Sequence, residues 1–528
     1  MMTVNPPRTG GKPAQLHEFV VVALLVVLAT GLPVLAHLLS QAAGIAACVL
    51  FAILIGNFVP AAVPAVLVGA YLLQNLFVAV IAAWIPDLDT FNAIRGYNFV
   101  LMAATWLVVA GSFWANPVSR WSPLRSPMIA STVPLLLIGL YLCIGMTSDP
   151  RSAVIYLRNI GTPLLLFQIC LICADRIGPG TSAFLKPLGV FAFLYGYAEM
   201  LWRDNLYSLV NAWDYINLNS TQERNAGVWL REMLQTGRVI RGAEDALKVD
   251  FLNTPLLADL HIQVYRLLGP NFHSISFAYA LSFYSLLFMA AGRWVMVVAA
   301  LPLLLVIGSK GALICLLATG FGLLFSRVVT PSVLIVGFIA TLVLYAGTAI
   351  VVGLRIGDFH AIGLIGGLQG FLQNPAGHGL GAGGNLSMNM TAIDWSRSQA
   401  LGQTDRAVES AVGVLLYQMG LAGFAVWLSY GVIALRAWRG YGETRQPLFA
   451  ILAFGILTVA MNGLLQEEAL FSPLAMGPLM ALAGLAFGAR RWAETSRGSL
   501  ADMEPPTLPL ARARRGQAGH RQHGAEPA

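Results

Sequence analysis

The chain has 528 residues, of which 57% are hydrophobic and 11% charged, and its mean hydropathy is +0.70. A soluble domain carries about 25% charge, so a large soluble enzyme is excluded and an all-α polytopic integral membrane protein is indicated, one helical bundle rather than several domains. The net charge of +7 lies largely in the tail after Gly488 and in short turns, so it bears on topology and anionic lipid and not on nucleic acid.

Residues 1–17 are polar, with Arg8 and Lys12 and no acid. The apolar run Phe19–Leu39 is too long for a signal-peptide core, so it reads as an uncleaved first span entered from a cytoplasmic amino terminus. Further runs at 43–59, 61–84, 98–116, 128–146, 159–175, 188–201, 273–291, 294–308, 311–327, 331–353, 408–435, 447–465 and 472–489 bring the expected count to about fourteen, with 188–201 the shortest. Basic residues alternate with this count. Arg120 and Arg125, Arg176 and Lys186, Arg293, Arg327, and Arg436 with Arg439 and Arg445 mark every second turn, while Asp87 and Asp89 or Glu467 and Glu468 occupy turns between them. Lys and Arg accumulate on the cytoplasmic side, which places both termini there.

Two long segments then share the outer side. In 202–272, Ser220 and Glu223 read as a capping box ahead of Ala226, Trp229, Leu230, Met233 and Leu234 at helical spacing. Thr254-Pro255 reads as the start of a second surface helix, with Leu257, Leu260, Val264 and Leu267 on one face. The second segment, 354–407, is rich in glycine. The expected organisation is a cytoplasmic tail 1–18, a membrane domain 19–489, and a basic tail 490–528 that is disordered from about Thr495. All five cysteines fall in apolar runs, so Cys170 and Cys173 read as core thiols despite their C-x-x-C spacing. No repeat of seven spans is visible.

Chemistry concentrates between Lys310 and Gly423. Ser309-Lys310-Gly311 is a turn with a lysine at the membrane boundary, Arg355 opens the glycine-rich segment, and Asp405-Arg406-Ala407-Val408-Glu409 closes it. Ionisable residues at a membrane edge are functional candidates by default. Cations beside a carboxylate suit a pyrophosphate leaving group and an attacking hydroxyl. Each has a plainer reading: Glu409 as a solvated helix start, Lys310 as a snorkelling side chain, Arg355 as a partner of Asp358, His378 as a turn residue between glycines. Glu199 with Arg203 reads as a structural pair, and Glu467-Glu468 as a solvated turn. Asp87-Leu88-Asp89 reads as a solvated turn, and no Cys/His cluster or H-x-x-x-H suggests a metal. Gly379-Leu380-Gly381-Ala382-Gly383-Gly384 spells G-x-G-x-x-G without a surrounding βαβ unit, and no Walker sequence is present.

These residues resemble the O-antigen ligase and Wzy-type polysaccharide polymerase superfamily. Ser309-Lys310-Gly311 is similar to its Ser-Arg-Gly turn, with lysine for arginine. Arg355 resembles the arginine at the start of the family's large outer loop, and Asn374-Pro375 with Gly377, Gly379 and Gly381 resembles its Pro-x-Gly-x-Gly text. Glu409-Ser410, nine residues and Gly420-Leu421-Ala422-Gly423 stand in the register of the ligases' His-[Asn/Ser/Gln] motif. Polymerases often carry glutamate there. The resemblance implies a GT-C-like helical bundle in the bacterial inner membrane. It would polymerise undecaprenyl-diphosphate-linked oligosaccharides into exopolysaccharide or O-antigen at the outer face, by inverting, metal-independent glycosyl transfer without a cofactor. Glu409 would be the base. Lys310, Arg355 and Arg406 would bind the diphosphate, and His378, Gly377, Gly379 and Gly381 would shape the loop. Membrane lipid, chain-length regulators and export proteins are the implied partners. About fourteen spans exceeds the dozen usual in the family. The alternatives are a ligase and, in another class, a lipid-linked oligosaccharide flippase.

Overall fold

The computed structural model describes residues 12–502 apart from 117–121, 123, 179–181, 183, 226, 238, 254–261 and 388–392. It is 79% helical, which leaves little to sheet. Long uncharged apolar sequences have no water to satisfy their backbone in a bilayer and close their hydrogen bonds within helices. Among the described residues nine helices are long and apolar enough to cross a membrane, and four shorter apolar ones accompany them: Ser274–Ala290, Trp294–Ile307, Lys310–Phe325 and Pro447–Asn462. This is an all-α, multi-pass membrane architecture. All fourteen apolar runs fall on helices, but the run 188–201, on Leu185–Leu209, is in neither group. It carries the buried Glu199, and Trp202 leaves helical geometry (φ −137°, ψ 37°).

The bundle is built around one pair. Pro150–Ile177 and the segment Glu467–Glu494 are 83% and 89% buried over their apolar windows, against 17% for Pro331–Ile356 at the periphery. The central pair packs with Gly484 and Gly488 against the backbone of Phe167 and Leu171, the close approach that small residues allow between membrane helices.

Several expectations are corrected. The run 408–435 is two helices, Ala411–Met419 and Leu421–Thr444, broken at Gly420. Its φ of 55° and ψ of −135° suit glycine, and a Cβ there would collide with the Pro375 carbonyl. The segment 354–407 is not simply a loop: it holds the helix Phe359–Gln373, capped by Asp358, which accepts from His360 N–H (2.9 Å) and Ala361 N–H (3.3 Å). Ser220 does not cap a helix. It is buried inside Ala212–Asn225, whose Glu223 takes its hydrogen bond from the Asn219 amide, and the following helix, Val228–Thr236, starts from left-handed Gly227. Val264, expected on the face of a surface helix, lies instead on a three-residue strand, Gln263–Tyr265, paired antiparallel with Lys248–Asp250. Thr254, Pro255, Leu257 and Leu260 lie outside the described residues, as does Arg120. The first helix begins at Lys12, ahead of the expected span, and the last, Met476–Asp502, continues past Thr495; the tails beyond both lie outside the described residues.

Candidate functional site: a buried carboxylate network

Glu409 stands one residue ahead of a helix cap. Ser410 accepts the Gly413 N–H (3.0 Å) and starts Ala411–Met419, so Glu409 is left out of the first turn. Its φ is 63°, a left-handed conformation that a non-glycine residue adopts at a cost of about 1–2 kcal/mol. Such strain is retained where the surroundings over-determine it. Glu409 is only 6% exposed, which rules out a solvated helix start. Its carboxylate Oε2 lies 3.3 Å from His360 Nδ1, and its N–H donates to Asn385 Oδ1 (3.1 Å).

Asn385 links the Glu409 backbone to a second glutamate. Its own N–H donates to Glu467 Oε2 (2.9 Å), while the Tyr156 hydroxyl donates to Glu467 Oε1 (2.7 Å) and accepts the Leu386 N–H (3.1 Å). Glu467, read as solvated from sequence, is 3% exposed. A buried carboxylate without such donors would be strongly unfavourable. Glu467 therefore depends on the glycine-rich segment crossing above it, and that segment depends on Glu467.

Lys310 joins the same neighbourhood. It is the exposed first residue of Lys310–Phe325 and interacts electrostatically with Asp358, two residues before His360. The next residue is tied to the other side: the Asn462 amide donates to Gly311 O (2.8 Å), and the Tyr279 hydroxyl donates to Gln466 Oε1 (3.0 Å), adjacent to Glu467. Lys310 thus stands at a helix amino terminus with Asp358 as its electrostatic partner, while the backbone of the next residue is tied to Asn462.

Arg406 and His378 have partners of their own. Arg406 is half-buried, with Nη1 buried and without a hydrogen-bond partner, and interacts electrostatically with Tyr417. Tyr417 stacks on His378 (centroids 4.2 Å apart, planes at 14°), and His378 Nδ1–H donates to the Tyr417 carbonyl (2.9 Å). His378 is therefore a packed ring and not a free turn residue. Gly377, Gly379 and Gly381, with φ of 82°, 92° and 85°, let the loop lie directly on the backbone of Gln418–Gly420, Gly145 and Ser152–Ala153. That contact places Asn385. Arg355 is exposed on the last turn of Pro331–Ile356. It makes no ion pair with Asp358, which is used as a cap, and no described contact joins it to Glu409.

Further readings are refined in the same way. Glu199 is held by Tyr207, Leu268 and Gly269, while Arg203 pairs with Asp204 (3.3 Å) and stands over the Tyr265 ring (3.6 Å), so Glu199 and Arg203 form no ion pair within 4 Å. Asp87 accepts the Thr90 N–H (2.7 Å), which holds its carboxyl below the usual range, and Asp89 pairs with Arg151 on the surface (3.3 Å). Cys170 and Cys173 are buried free thiols. Among the described residues no group of three His, Cys, Asp or Glu side chains is arranged to hold a metal ion.

Sequence reasoning passed over His360, Asn385, Tyr156 and the burial of Glu467. His360 had one signal: an Asp-x-His at the head of an apolar stretch. Tyr156 had none. No protein-family model matches the chain, and no curated protein matches it. The resemblance to the ligase and polymerase superfamily therefore rests on the short motifs alone.

Proposed function

We propose that the chain is a membrane-embedded glycosyltransferase that lengthens a lipid-diphosphate-linked oligosaccharide at the outer face of the bacterial inner membrane, with Glu409 as the acceptor-activating base. The observation that carries this reading is a buried, strained glutamate 3.3 Å from an imidazole, in the register where the resembling ligases keep their histidine. In the step, the acceptor hydroxyl oxygen attacks the anomeric carbon and its proton passes to Glu409. The bond from that carbon to the diphosphate breaks, and the diphosphate leaves with the electron pair. A single displacement inverts the configuration. His360 orients the Glu409 carboxylate. Lys310, with the amino terminus of its helix, offsets the charge that develops on the diphosphate. Arg406 offers an unpartnered guanidinium nitrogen three residues from the base.

His360 also supports a second reading. An imidazole beside Glu409 restores the group that the ligase register lacks, so transfer of finished glycan to a different acceptor is the runner-up. Purified protein in liposomes, supplied with a synthetic lipid-diphosphate repeat unit, separates the cases. Chains of two or more repeat units on the lipid support polymerisation. Transfer of glycan only to an added second acceptor supports ligation. Substrate that crosses the bilayer with no new glycosidic bond overturns both.

A further inference from the structure

The opposite end of Leu421–Thr444 carries a second polar site, unrelated to the carboxylate network. A cavity of about 300 Å³ there is lined by Ser126, Arg436, Arg490, Arg491 and Glu494 over an apolar floor that includes Phe449 and Phe487. A second cavity of about 550 Å³ shares Ser126 and Arg436 and adds Arg125 and Ile129. The four arginines outnumber the carboxylates near them: Glu443 and Glu494, both engaged by Arg490, with Glu494 also reached by Arg491, and Asp175, which interacts electrostatically with Arg491. Arg436 is the cation both cavities have in common. Its Nη2 donates to Ser126 Oγ (3.0 Å), its Nη1 is buried with no hydrogen-bond partner, and no carboxylate lies within 4 Å of it among the described residues. An uncompensated guanidinium fork in a part-apolar pocket matches the oxygens of a phosphodiester.

The surroundings choose between a lipid and a free phosphate. The helices Arg125–Gly145 and Leu421–Thr444 pack on each other, and each bears an exposed apolar stripe that starts at this pocket. Ile129, Val133 and Leu136 run along one, Leu435, Val432 and Leu428 along the other. A headgroup in the pocket would have acyl chains lying along these stripes, with every part of the ligand matched in polarity. Basic pockets between membrane helices are recognised sites for acidic headgroups. We propose that this pocket binds the phosphodiester headgroup of an anionic membrane phospholipid, gripped by Arg436 and Ser126.

The test uses the full-length protein, delipidated in detergent and incubated with phosphatidylglycerol, phosphatidylcholine or inorganic phosphate, with bound lipid counted by native mass spectrometry. Wild-type protein is expected to retain phosphatidylglycerol about tenfold better than phosphatidylcholine, which has the same phosphodiester but also a choline cation that the arginine cluster repels. Arg436→Gln should abolish that preference and Arg436→Lys should keep part of it. Val432→Trp, an uncharged lipid-facing position one helical turn from Arg436, should lower retention while leaving the protein monodisperse, which guards against a folding defect in the arginine variants. Equal retention of the two lipids by wild type overturns the proposal. So does unchanged retention in Arg436→Gln, and so does millimolar inorganic phosphate displacing the lipid completely, which would mark a site for free anions.

Discussion

Glu199 and Glu409 are both buried carboxylates beside a long segment between membrane helices, yet they are held in opposite ways. Glu199 accepts from the Tyr207 hydroxyl (2.6 Å) and from two consecutive backbone N–H groups, Leu268 (2.7 Å) and Gly269 (2.8 Å). Its donors are mostly main chain, and it pins the end of the segment 202–272 to its helix. Glu409 faces another titratable side chain, from a strained backbone position, in a network with a second glutamate. Burial alone marks neither as a site. On the proposed reading, the kind of partner separates a structural carboxylate from one that exchanges a proton.

Removing each carboxylate in turn is the sharpest way to break this comparison. Glu409→Gln is expected to lower glycosyl transfer by about 10²–10⁴, the usual loss on removing a general base, with the melting temperature moved by no more than about 2 °C. Glu199→Ala should do the reverse. It strands three buried donors and is expected to cost about 3–5 kcal/mol of stability, seen as a lower melting temperature, with activity per folded molecule retained. If Glu199→Ala melts like wild type while Glu409→Gln unfolds, the assignments are inverted. A smaller effect is expected at Gly384, where φ is 95° and a Cβ would fall on the Tyr156 hydroxyl. Gly384→Ala should lose about 1–3 kcal/mol and activity together, because the loop that carries Asn385 shifts. A fully active, fully stable alanine variant would detach the loop from the site. The mildest contrast concerns the cations. Lys310→Ala should slow turnover by about tenfold, moderated by its exposure, and Arg355→Ala by less than about threefold. Equal and large losses would return Arg355 to the diphosphate clamp.

What the sequence disclosed followed the range of the interactions. Apolar runs report directly on local helix formation, and each of the fourteen lies on a helix. Glu409 and Lys310 were visible because a charge at the edge of an apolar run is conspicuous by itself. Tyr156 and Glu467 were not, since they are 311 positions apart and meet only because the two central helices pack. The same limit explains the false capping box: Ser220 and Glu223 have the right spacing, but capping depends on where the helix begins, and this one begins at Ala212. The break at Gly420 was hidden within continuous apolar text, because hydropathy does not register the approach of the Pro375 carbonyl.

The hydrogen bond between Tyr156 and Glu467 also carries a statement about timing. A membrane chain is inserted from its amino terminus onward, so Tyr156 enters the bilayer early and Glu467 near the end of synthesis. Asn385 cannot be seated until both are present. Nascent intermediates therefore hold Glu409 without its anchored neighbour, and the carboxylate network closes only when the last helices arrive.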